Sequence, residues 1–188
     1  DIPSVSVSKV LSTYQDGAHL YLQTQTDFNE SAIWVSDGTP EGTRELKRFA
    51  GTRTEPMKVV VWEKRRMFLH PHVSFIYDID SKNAIDFKVG SNDNLGIDSR
   101  QLSNKVLIKV GYTLYSVDFD GKLTVLDASG LIPLQTLAAT SNKVFYNRFI
   151  RFDFSIGEPT LALMATDGTL EGTKEVSRSL FGGFNVQA

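Results

Sequence analysis

The chain has 188 residues, 41% hydrophobic and 22% charged, an ordinary soluble globular balance with enough apolar material for a sizeable core. A formal net charge of −2 and a sequence pI near 5.9 give no electrostatic basis for binding nucleic acid or an anionic membrane. With no cysteine there is no disulfide framework, thiolate metal site or thiol nucleophile, and no apolar run approaches the roughly 20 residues of a membrane-spanning helix. The opening Asp1-Ile2-Pro3-Ser4 is neither a signal peptide nor an ordinary translation start, which predicts a chain cut from something longer.

No segment sustains a helical period, and strand signals punctuated by turns run the whole length as a single repeat domain. A first unit, approximately residues 1–50, reads as strands over 5–11, 19–23, 32–36 and 44–49, with a turn at Gln15-Asp16-Gly17. The second, 51–90, reads as strands over 57–62, 67–70, 76–80 and 84–89. The third, 91–130, has strands over 97–102, 105–109, 114–118 and 123–127, with turns at Ser103-Asn104 and Asp120-Gly121-Lys122. The fourth, 131–180, has strands over 134–139, 143–147, 161–166 and 174–179, and residues 181–188 open a further inner strand.

Seven residues set the register. Asp37-Gly38-Thr39-Pro40-Glu41-Gly42-Thr43 returns as Asp167-Gly168-Thr169-Leu170-Glu171-Gly172-Thr173, each time after an apolar run and before an alternating charged segment. Asp accepts hydrogen bonds from backbone N–H groups just downstream, Gly takes positive φ without a Cβ penalty, and Thr begins an extended segment. The structural reading is therefore a tight reversal between strands rather than a ligand site. Degenerate copies lie at Ile76-Tyr77-Asp78-Ile79-Asp80 and Leu114-Tyr115-Ser116-Val117-Asp118. With Asp80 and Asp118 placed in register with Asp37 and Asp167, the aspartates stand 43, 38 and 49 residues apart, the spacing of a four-stranded propeller blade.

Trp34-Val35-Ser36-Asp37-Gly38-Thr39-Pro40-Glu41-Gly42-Thr43 resembles the ELWxSDGTxxGT repeat found in arrays in large secreted or surface-associated bacterial proteins. The first copy has Ala32 at the leading Glu; the second has Met164 for Trp and Thr166 for Ser but keeps Asp-Gly-Thr-x-x-Gly-Thr complete. The resemblance implies β-propeller blades and a secreted, periplasmic or cell-surface setting, and it implies no catalytic residues.

Near-continuous apolar runs such as Val59-Val60-Val61-Trp62 and Val106-Leu107-Ile108 want burial on both faces, as blades stacked around an axis provide. A two-sheet sandwich predicts cleaner alternation. The expected fold is all-β: a β-propeller, or part of one, of about four blade-like four-stranded repeats. Trp34, Tyr77, Tyr115 and Met164 are then expected to pack between neighbouring blades.

Candidates for chemistry are few. His70-Pro71-His72 puts two imidazoles on one face of an extended strand, half of a metal site with no clear third ligand; the remaining histidine is His19. Asp78, Asp80 and Asn83, then Asp93 and Asp98, supply hard oxygens in short spans as calcium requires, but the Gly and closing Glu of a calcium loop are missing and Asx turns explain them. Glu41 and Glu171 would serve acid/base chemistry only if two turns converged. No nucleophile elbow, phosphate loop or zinc helix motif is present.

Lys64-Arg65-Arg66 is one basic cluster. The other, Arg148, Phe149, Arg151, Phe152 and Phe154, lies in an insertion over 147–160, read as a long loop carrying residue types favoured at interaction surfaces; otherwise its aromatics extend a hairpin and pack inward. The expected function is a non-catalytic scaffold or protein-interaction module whose partners are other chains or further repeats. Carbohydrate recognition and a polysaccharide-acting enzyme are the alternatives; calcium is the one cofactor considered.

Overall fold

A computed structural model describes residues 9–27, 30–50, 56–89, 97–128, 135–153 and 157–179. These residues are strand and turn throughout. The first eight strands are β1 (Lys9–Asp16), β2 (His19–Asp27), β3 (Glu30–Ser36), β4 (Arg44–Ala50), β5 (Lys58–Trp62), β6 (Arg65–Leu69), β7 (Ser74–Asp78) and β8 (Ala84–Phe87). The second eight are β9 (Ile97–Gln101), β10 (Val106–Val110), β11 (Thr113–Val117), β12 (Leu123–Ala128), β13 (Gln135–Ala139), β14 (Val144–Asp153), β15 (Glu158–Thr166) and β16 (Lys174–Ser179). Among the described residues no helix is long and apolar enough to cross a membrane.

The strands form four four-stranded sheets, each following chain order: β1 to β4, β5 to β8, β9 to β12 and β13 to β16. The fold is therefore all-β and built of blade-like repeats, the β-propeller or partial-propeller class. The chain divides into two compact units, residues 1–86 and 87–188.

In the first unit Tyr21, Ile33 and Val35 of the leading sheet pack on Met57, Phe68, Phe75 and Tyr77 of the following one, with Leu46 and Phe49 of β4 against the same cluster. Phe68 stacks on Phe75 with ring centroids 4.6 Å apart, and Tyr21 meets Phe68 edge-on at 5.3 Å. In the second unit Leu102, Leu107, Leu114 and Leu126 pack on Val144, Tyr146, Ala162 and Met164. Each fully buried large side chain in such a seam contributes about 1.5–3 kcal/mol. The middle strands β6, β7, β10 and β11 are buried along nearly their whole length. The outer strands leave Ile85, Val125 and Val176 exposed.

The expected packing roles hold for Tyr77 and Met164, which sit in seams between two sheets. Tyr115 is buried. Trp34 clusters with Leu22 and Ala32 on the other face of its own sheet, its indole N–H donated to Thr24 Oγ1 at 3.0 Å.

Four expectations need correction. The first inner strand continues to Asp16 rather than ending at 11, because its pairing with β2 runs on to the Gly17 turn; its expected beginning over 5–8 lies outside the described residues. Val59-Val60-Val61-Trp62 forms the inner strand β5 as expected, but it is not buried on both faces, since Val61 is exposed. The second unit's turn aspartate is Asp78, not Asp80, since β7 ends at Asp78 and its Oδ1 accepts the Ser81 N–H at 2.9 Å. The insertion over 147–160 is largely strand: β14 and β15 pair from Val144↔Thr166 to Asp153↔Glu158, a long hairpin that the aromatic and β-branched Phe149, Ile150 and Phe152 favour. The expected further strand over 181–188 lies outside the described residues.

Candidate interaction surface

The repeated turn is a closed hydrogen-bond circuit. Asp37 Oδ1 accepts from the Thr39 N–H at 2.9 Å and the Thr39 hydroxyl at 2.7 Å; Thr39 Oγ1 in turn accepts the Gly42 N–H at 2.9 Å. Thr43 donates its hydroxyl to the Thr39 carbonyl at 2.6 Å, and its N–H goes to the Pro40 carbonyl at 3.2 Å. Asp167, Thr169, Gly172 and Thr173 repeat the arrangement with the same partners and nearly the same lengths. Gly38 and Gly168 take φ of +92° and +84°, where a Cβ is strained. Hydrogen bonds from the Thr39 hydroxyl and backbone hold the Asp37 carboxyl below the usual range, and Thr169 does the same for Asp167. Each Asp Oδ1, Thr hydroxyl and Gly N–H is spent on the turn itself. Glu41 and Glu171 are exposed at the two turns.

The histidines do not lie along one strand. β6 ends at Leu69, and His70 and Val73 exchange both backbone hydrogen bonds at 3.2 Å around Pro71-His72, a two-residue reversal. His70 is buried and His72 exposed, and Phe49 packs against both rings at 4.8 and 6.4 Å. His19 lies 3.9 Å from Asp16.

The calcium candidates are turned to other work. Asp78 takes the Ser81 N–H and hydroxyl and the Arg65 guanidinium, which together draw its carboxyl down to about 2. Asp80 pairs with Lys64 at 2.5 Å, and Asp98 with Arg100 at 3.0 Å. Asn83 gives its carbonyl to the Asp78 N–H, and Asp93 lies outside the described residues. Among the described residues no three His, Asp or Glu side chains gather as metal ligands.

The structure reveals polar links across the seams that strand reading missed. Gln23 Oε1, fully buried, accepts the Met57 N–H from the following sheet at 2.8 Å and the Ser12 hydroxyl at 2.8 Å. Arg66 pairs with Asp16, Arg44 donates to the Tyr77 hydroxyl, and Lys47 pairs with Asp86. In the second unit the Tyr146 hydroxyl donates to buried Asp127 at 2.9 Å, with Arg148 Nε 3.7 Å from the same carboxylate; burial first, then Asp127, raises the Tyr146 phenol. Arg66 did carry a signal, a charge on a middle strand next to the apolar run Met67-Phe68-Leu69.

Of the interaction candidates, Arg148 faces Asp127 and Phe149 is partly buried, while Arg151 and Phe152 are exposed on the hairpin, Phe152 to 42%. Phe154 lies outside the described residues.

No protein-family model matches the chain, and no curated protein does. Among solved structures it is similar to the tricorn protease at 13% identity and TM-score 0.37, covering 88% of this chain and 25% of that one. It is also similar to Hsv2 of Kluyveromyces marxianus at 12% identity and TM-score 0.33, covering 90% of this chain and 64% of that one. For Kluyveromyces lactis Hsv2 the identity is 10% and the TM-score 0.37, with 90% and 63% covered. The chain thus spans less than two thirds of each of these structures.

Proposed function

We propose that the chain is a non-catalytic blade-repeat scaffold that makes protein–protein contacts, in a bacterial secreted, periplasmic or surface assembly. The setting rests on the resemblance of the turn motif alone. The contact reading rests on the β14–β15 hairpin: β14 at ten residues outruns the five-residue middle strands of the second and third sheets, and it carries Arg151 and Phe152 outward. An arginine beside an exposed aromatic suits a contact hot spot, where a planar cation and a large apolar face are desolvated together.

The test is the mass of the purified chain in solution by light scattering, beside that of an Arg151→Glu, Phe152→Ala variant. Association that the variant weakens supports the reading. Unchanged assembly removes the hairpin as the contact surface.

A further inference from the structure

The turn between the two innermost strands of a sheet repeats, as the Asp-Gly-Thr turn does. Leu102-Ser103-Asn104-Lys105 joins β9 to β10 and Thr140-Ser141-Asn142-Lys143 joins β13 to β14, each closed by the first residue's N–H donated to the lysine carbonyl, at 2.8 and 2.7 Å. The first of them is engaged by the sheet that follows it. Lys105 is half-buried, and its ammonium donates to the Gly168 carbonyl of the Asp167 turn at 3.1 Å. Its charge also helps, behind the Thr169 hydrogen bonds, to lower the Asp167 carboxyl. Gly168 is buried there, and a Cβ added to it would meet Lys105 Cδ at 2.9 Å, Ser116 Oγ at 3.4 Å and Leu102 Cδ1 at 3.5 Å. A lysine on the inner turn of one sheet thus clasps the Asp-Gly-Thr turn of the next.

The other lysine and the other Asp-Gly-Thr turn carry the same two parts uncovered. Lys143 is exposed, and so is Thr140 in the place of Leu102, which is 3% exposed. Gly38 is exposed too, and among the described residues nothing lies within 4 Å of a Cβ added to it. Leu20 pairs with Ser36 as Val144 pairs with Thr166, yet Val144 is 1% exposed in its seam and Leu20 is 36% exposed. Among the described residues neither the Lys143 ammonium nor the Gly38 carbonyl has a hydrogen-bond or ion-pair partner. The hydrogen bonds inside the two Asp-Gly-Thr turns match, so the difference lies in what covers each turn.

We propose that Lys143 of one chain clasps the Asp37–Gly38 turn of a second copy, joining chains end to end. Charge selects this occupant. The turn presents a carboxylate and a carbonyl, which take a cation, and the chain itself carries the matching lysine on the matching inner turn. The two surfaces differ, so the contact is heterologous, and each copy added leaves one half free for the next. A single exposed cation adds little affinity but fixes register, while Leu20 offers the apolar side chain that Val144 supplies in the occupied seam. The inference deepens the scaffold reading and rests on it, since it names the partner and the ends that meet.

Two variants that each break one half test it by light scattering. Lys143→Glu removes the cation, and Leu20→Lys sets a like charge beside the Asp37 turn; both positions are exposed, and circular dichroism checks that the fold is kept. The parent is expected to exceed the 20.9 kDa of one chain increasingly with concentration, and each variant to stay at that mass. Lys122→Glu, the same charge change at another exposed lysine, is expected to follow the parent. In an equimolar mixture of the two broken variants, the intact lysine of one meets the intact turn of the other, and growth should stop at twice the chain mass. A parent that stays a single chain, variants that assemble as the parent does, or a mixture that stays at one chain mass overturns the proposal. The Arg151→Glu, Phe152→Ala variant keeps both halves of this joint, so the hairpin reading stands or falls separately.

Discussion

Gly42 lies so close over the Asp37 carboxylate that an added Cβ would fall inside contact distance of both its oxygens, and Gly172 stands in the same relation to Asp167. This glycine is required by proximity rather than by backbone dihedral, whereas Gly38 and Gly168 are required by positive φ. Gly42→Ala should push the carboxylate out of the turn and cost on the order of 1 kcal/mol. With Asp37→Ala already in place the same change should cost far less. A double-mutant cycle from urea unfolding checks this, and additive costs would count against it.

Acid should strip stability from these turns. The carboxyls of Asp37, Asp78 and Asp167 are all depressed in the folded chain, Asp78 to about 2, so their contribution is complete above the unfolded carboxylate value and is lost as pH falls toward 2. Thermal midpoints from pH 6 to 2 should fall less steeply for an Asp78→Asn variant than for the parent. Parallel curves would mean that the turn hydrogen bonds do not couple to stability.

Tyr21 predicts an unusual sign. Its hydroxyl is buried without a hydrogen-bond partner, and burial followed by the Asp16 charge pushes its pKa up to about 12. Tyr21→Phe should therefore be neutral or stabilise by up to about 1 kcal/mol near pH 7. In alkali the raised folded value means that Tyr21 contributes stability below pH about 10, lost as pH rises through about 12. The variant should lose less stability across that window, read by urea unfolding at pH 9 and 11.

Tyr146→Phe has the opposite expectation. Removing the donor leaves the Asp127 carboxylate buried with only Arg148 nearby, at 3.7 Å, and should cost about 1–3 kcal/mol. Adding Asp127→Leu should recover part of that loss, because the charge left behind is what costs. Chemical denaturation of the single and double variants decides it.

Gln23→Leu leaves the Met57 N–H without its acceptor inside the first unit's seam. A loss of about 1–3 kcal/mol is expected, accompanied by faster hydrogen exchange at Met57. Unchanged exchange there would mean that the link does not hold the second sheet's entry.

Much was legible in the sequence because strands advertise themselves locally. Two-sided burial leaves apolar runs at Met67-Phe68-Leu69, Phe75-Ile76-Tyr77 and Val106-Leu107-Ile108 in β6, β7 and β10, and Asp-Gly-Thr-x-x-Gly-Thr encodes its own turn with hydrogen bonds that span at most four residues. Class, strand order and the roles of the turn's Asp and its positive-φ Gly follow from such short-range chemistry. The structure decided the rest: Asp78 rather than Asp80 as turn cap, strand rather than loop over Arg148 to Phe152, and Asp78, Asp80 and Asp98 paired with Arg65, Lys64 and Arg100. Arg66 finds Asp16 fifty residues away and Gln23 finds Met57 at thirty-four, and no local pattern specifies a pairing at that range. Only the packing of one sheet on the next brings such groups together, and desolvation in the seam then makes each of them seek a partner.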